Sequence, residues 1–112
     1  MQIPPIKLMR QGVMANVNQS LDNDRAVIEY TKAVQARPDD RTLRALLDQA
    51  KVRAAQDHFS RARRMASVGK LEEALVEYQL AAELNPSNET IQQEMQTARV
   101  QLRAKAHVDV RL

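Results

Sequence analysis

Apolar positions recur at helical spacing along most of the chain and never alternate for long. Between residue 41 and about residue 68 no Gly, Pro or polar cluster interrupts the pattern. Leu43, Leu47, Ala50, Ala54, His58, Arg61 and Met65 form one stripe, and Leu46, Ala55, Phe59, Ala62 and Ala66 form its neighbour. The spacing predicts one unbroken helix of about 27 residues, about 40 Å long at 1.5 Å per residue. Its first stripe is apolar in front and acquires His58 and Arg61 behind, so its two halves are expected to face different neighbours.

Shorter helices flank this rod. Residues 1–5 are expected to be disordered, because Pro4 and Pro5 lack donors and bias the chain toward extended geometry. Leu8, Met9, Val13 and Val17 predict a helix over 6–19, with Gly12 inside it. The polar cluster over 18–24 reads as a turn, in which Asp22 or Asn23 caps a second helix over 24–36. Ala26, Ile28, Tyr30, Ala33 and Val34 lie on one side of that helix, and Arg37, Pro38, Asp39 and Asp40 end it and cap the rod. After the rod, Gly69 suits a left-handed stop. A helix over 70–84 turns Leu71, Ala74, Leu75, Tyr78, Ala81 and Ala82 inward, and Asn85, Pro86, Ser87 and Asn88 repeat the stop-and-cap arrangement. The last helix, 89–106, has Ile91, Met95, Ala98 and Leu102 on one stripe and polar side chains elsewhere, the pattern of an end helix. Residues 107–112 read as a tail. The expectation is an all-α chain of about five helices forming a single domain over 6–106.

Composition fits a thin helical core. Of 112 residues, one Phe and two Tyr are the only aromatics, and Gly occurs twice. The absence of Cys excludes disulfides and thiolate zinc sites. No apolar run reaches the roughly 20 residues that span a bilayer, so insertion into a membrane is not expected. The start of the chain lacks the apolar core of a signal peptide, which makes the cytoplasm the default location. The net charge of +3 is uneven: Arg41, Arg44, Lys51, Arg53, Arg61, Arg63 and Arg64 crowd the rod, whereas Glu72, Glu73, Glu77, Glu83, Glu89 and Glu94 follow it. Nucleic-acid binding by the basic face is the weaker expectation, since interleaved aromatics and glycines are missing.

Aligned on Pro38 and Pro86, DRAVIEYTKAVQARPDD and EEALVEYQLAAELNPSN agree, with Ala26 matching Ala74, Glu29 matching Glu77, Tyr30 matching Tyr78 and Ala33 matching Ala81. These segments resemble the tetratricopeptide repeat, a helix–turn–helix unit of about 34 residues. The better copy spans 55–88: Ala62 at the small-residue position, Gly69 in the turn, then Ala74, Tyr78, Ala81 and Pro86. The poorer copy, about 7–40, has Met14 and Leu21 where the small residue and the glycine belong, and the family's bulky positions are held by His58 and Arg61 in the better one. The prolines lie 48 residues apart. The excess over one repeat is about 14 residues, close to four turns, so the rod can serve both copies in phase. The order of elements is also similar to the repeat segment preceding the channel domain in some bacterial secretin-type secretion proteins, which would imply a place in the cell envelope.

The resemblance implies a scaffold or adaptor whose groove holds a peptide or helix of another protein. The matching groove positions are Gln56, Phe59, Ser60, Arg63 and Ser67. Arg63 suits an acidic partner group, but Gln11 and Ala15 stand where the family's carboxylate clamp has Lys and Asn. Phe59 is as well suited to packing against a neighbouring helix. No cofactor and no catalysis are expected: His58 and His107 show no metal-ligand spacing, and the Asp39–Asp40 and Glu72–Glu73 pairs stand at helix starts, where they complement the dipole. A homo-oligomeric role in a larger assembly is the alternative, because a short solenoid has ends to cover.

Overall fold

The computed structural model describes the backbone of residues 5–111 and the side chains of residues 21–107. The described residues form four helices and no strand: α1 Pro5–Ala36, α2 Arg41–Ser67, α3 Leu71–Leu84 and α4 Glu89–Arg111. None of them is long and apolar enough to cross a membrane. By contact density the chain divides into two compact units, one ending at Lys51 and one beginning at Val52, with α2 continuous across the division.

In the first unit the expected turn over 18–24 does not form; α1 runs through it as 32 residues of helix. The polar cluster contains no Pro or Gly. Its Asn, Ser and Asp residues cost only a few tenths of a kcal/mol each as helix interior, roughly, and Gln19, Leu21, Arg25 and Ala26 favour helix around them. Two expected helices are therefore one, and the count is four rather than five. Ala26, Tyr30 and Ala33 are half-buried, as are Leu43, Leu46 and Leu47 at the front of α2. Of the expected disordered segment 1–5, residues 1–4 lie outside the described residues and Pro5 opens α1. Pro at a helix start costs nothing there, because its missing N–H would have had no partner.

The reversal at Pro38 uses the expected chemistry. Asp40 Oδ1 accepts from the Leu43 N–H at 3.1 Å, and the Asp40 carbonyl accepts from the Arg44 N–H at 3.2 Å. Asn88 does the same for α4: its Oδ1 accepts from the Ile91 N–H at 3.1 Å and its carbonyl from the Gln92 N–H at 3.3 Å. Each cap satisfies a donor that a helix start would otherwise leave open. The end of α2 is different. Gly69 stands at φ +83°, the Lys70 N–H donates to the Met65 carbonyl at 2.9 Å, and the Gly69 N–H donates to the Ala66 carbonyl at 3.1 Å. This pair of bonds around a left-handed residue is a Schellman closure.

The core lies in the second unit, where the rear of α2 packs with α3 and α4. Ala55, Ala62, Ala74, Ala81, Ala82 and Ala98 supply its close contacts, and Phe59, Tyr78, Ile91 and Met95 supply its bulk. Ala62, Ala74 and Ala81 have no exposed surface at all. Small residues at these points let helix axes approach at the near end of the usual 8–10 Å range. The helix α4 extends through 107 to Arg111 where a tail was expected. Pro86 is exposed just beyond the end of α3, where the Asn85 N–H still donates to Ala81.

Candidate functional site

The rear of α2 and the middle of α4 form the two walls of an open groove, with α3 behind them. A cavity of about 300 Å³ lies there, lined by Arg63, Ala66 and Ser67 from α2, Tyr78 from α3, and Glu94, Thr97, Ala98 and Gln101 from α4. Part of the two walls is related by spacing: Thr97 and Gln101 stand 34 residues after Arg63 and Ser67. One repeat length of the tetratricopeptide type is also about 34 residues.

Arg63 is held in place on two sides. Its guanidinium carbon sits 5.5 Å above the centre of the Phe59 ring, and its Nε lies 3.3 Å from Glu94 Oε1. The same oxygen accepts from the Tyr78 hydroxyl at 3.2 Å. Arg63 keeps 62% of its side chain exposed, so this pair is a surface pair of modest strength rather than a buried clamp. Burial raises the Tyr78 pKa, the Glu94 charge and the hydrogen bond to Glu94 raise it further, and the Arg63 charge opposes them. Tyr78 therefore stays a donor across neutral pH. Away from Arg63 and Glu94, which offset each other, the walls carry only hydroxyls, one amide and alanine methyls. Such a surface hydrogen-bonds and packs without net charge.

Among the expected groove positions, Arg63 and Ser67 line the cavity. Phe59 does not: it is 7% exposed and belongs to the core, its ring tilted 57° against Tyr78 at a centroid distance of 6.0 Å. Its contribution is a floor on which Arg63 lies. Gln56 and Ser60 are further back on α2, bonded to each other from Nε2 to Oγ at 3.4 Å on the exposed surface. Gln11 and Ala15 have side chains outside the described residues. The wall from α4 was not singled out from the sequence, although the 34-residue offset from Ser60, Arg63 and Ser67 contains it.

A second polar cluster lies on the opposite side of α2. Glu77 of α3 accepts at Oε2 from His58 Nδ1 at 2.6 Å, and its Oε1 lies 3.6 Å from Arg61 Nη1. A carboxylate only accepts, so the imidazole hydrogen in this pairing is assigned to Nδ1. His58 and Arg61 occupy positions where bulk was expected from the repeat pattern; the pairing with Glu77 satisfies polar groups there and ties α2 to α3. His58 is buried, and the geometry is that of a structural tie. Among the described residues no group of three or more His, Cys, Asp or Glu is assembled for a metal ion. No family model, curated protein or solved structure matches the chain.

Proposed function

We propose that the chain is a non-enzymatic protein-interaction module of the tetratricopeptide type, and that the groove between α2 and α4 holds an extended segment of a partner polypeptide. The observation that carries this reading is the open cavity in which Arg63 and Ser67 of one wall face Thr97 and Gln101, 34 residues on, in the other. Its hydroxyl and amide lining suits the N–H and C=O groups of a peptide backbone, and Ala66 and Ala98 leave room for it. The near-neutral charge of the lining favours a partner segment without strong net charge. The offset also supports reading α4 as the first helix of a further, terminal repeat, which agrees with its wet outer face.

The test is selection from a displayed library of random peptides against the whole folded chain. Selected peptides are then measured against Ser67→Arg and Thr97→Arg, two exposed positions at which a long side chain fills the groove without touching the core. The reading expects peptides whose affinity falls at least about tenfold, or 1.4 kcal/mol, in both variants. Peptides indifferent to both variants, or a library yielding no peptide that depends on the groove, overturn it.

A further inference from the structure

The helix α3 leaves two large apolar side chains in solvent on its outer face. Val76 is 55% exposed and Leu80 is 38% exposed. Four residues apart, they stand one above the other on the helix surface. Exposed carboxylates surround them: Glu72, Glu73 and Glu83. The whole helix, LEEALVEYQLAAEL, holds no cation. Among the described residues these three carboxylates make no ion pair, unlike Glu77 on the inner side. Glu83 stands in the last turn, where a negative charge opposes the helix dipole and gains nothing locally. An exposed apolar pair in an acidic surround with no cation on its own helix matches a cationic, partly apolar surface.

The same chain carries one. Between Met95 and His107, α4 has no Asp or Glu, and Arg99 and Arg103, four residues apart, share one side of it with Val100. Val100 is 52% exposed on the outer side of that stretch, with Ala104 exposed one turn on. Among the described residues these cations too make no ion pair. Both surfaces belong to the second unit. We propose that the chain associates with further copies of itself, the outer face of α3 in one copy packing on the outer rear face of α4 in the next. The apolar centres Val76 and Leu80 meet Val100 and Ala104, and the two charge sets neutralise each other. In this proposal the contact is heterologous and repeats head to tail.

The test is sedimentation of the full chain at rising concentration, to about 1 mM, the range in which weak contacts populate. The average mass is expected to climb past that of a dimer at low ionic strength, and association is expected to weaken about tenfold in roughly 0.5 M salt. Glu73→Lys with Glu83→Lys is expected to abolish growth, as is Arg99→Glu with Arg103→Glu, and all four substitutions together are expected to restore it. Glu73, Glu83 and Arg103 are exposed and Arg99 is half-buried, and circular dichroism of each variant should match the parent. A monomer at every concentration, a closed dimer, indifference to either reversal, or failure of the fourfold variant to recover growth overturns the proposal.

Discussion

Truncating Ile91 to Ala should be among the most damaging single changes in the second unit. Six of the ten residues in the core cluster are alanines, so the packing of α4 onto α3 and α2 rests on a few large side chains. Ile91 is 1% exposed and is the largest fully buried side chain among the described residues. Removing three carbons forfeits about 2.4 kcal/mol of transfer energy, at about 0.8 per methylene. The cavity left behind brings the expected loss to about 3–4 kcal/mol, within the usual 2–5 for Ile to Ala. Ile91→Val should cost only about 1 kcal/mol. A chain of this length has roughly 6–17 kcal/mol in total, so the Ala variant gives up a large share. Urea unfolding followed by far-ultraviolet circular dichroism measures this. With a slope of about 1.5 kcal/mol/M, the midpoint should move down by about 2 M for Ala and well under 1 M for Val. A loss below about 1 kcal/mol for Ala, at unchanged slope, would refute the packing of α4 on this core and with it one wall of the groove.

Other changes probe local devices. Gly69→Ala should cost about 1–2 kcal/mol, from left-handed backbone strain alone, because a β-carbon there would meet no atom within 4 Å; a neutral thermal melt would contradict it. Asn88→Ala should lower stability by about 1 kcal/mol through loss of the bond to the Ile91 N–H, and Asn88→Asp should retain most of it. Tyr78→Phe should cost about 0.5–1.5 kcal/mol near neutral pH. Since the folded pKa of Tyr78 is raised above 10.0, its proton is held more tightly in the folded chain. Its contribution is then full below pH 10 and is lost as pH rises through the folded value, so the gap between parent and variant should shrink in alkaline urea titrations. A gap that widens with alkalinity would contradict the assignment of the Tyr78 hydroxyl as donor to Glu94.

Much of the helical framework was legible because local chemistry determines it. Pro38 with Asp40, Pro86 with Asn88, and Gly69 each combine a stop with a closing hydrogen bond, and all three act within a few residues. The polar cluster over 18–24 was misleading for a related reason: Asn and Asp favour caps only where the chain has cause to break, and no Pro or Gly supplies that cause. The buried side of the second unit followed from helical spacing, including Ala62, Ala74, Tyr78 and Ala81. The groove was only half visible. Of the positions that the likeness to the repeat implies, Arg63 and Ser67 line the cavity, but Phe59 turns inward and packs against Tyr78. Glu94, Thr97 and Gln101 look in sequence like ordinary wet positions on an end helix. Only the partner wall at a fixed offset makes them a surface. The tie from His58 and Arg61 to Glu77 was likewise hidden, since it joins residues 19 and 16 positions apart on different helices.

The face shared by α2 and α4 is proposed to hold a partner polypeptide. Amide chemical-shift mapping of the full chain, titrated with a peptide taken from the library selection, tests it most directly. Perturbed residues are expected to cluster at Arg63, Ser67, Glu94, Thr97 and Gln101, while Val76, Leu80 and Glu83 on the outer face of α3 stay unmoved. Shifts centred on that outer face, with the groove residues unchanged, would contradict it.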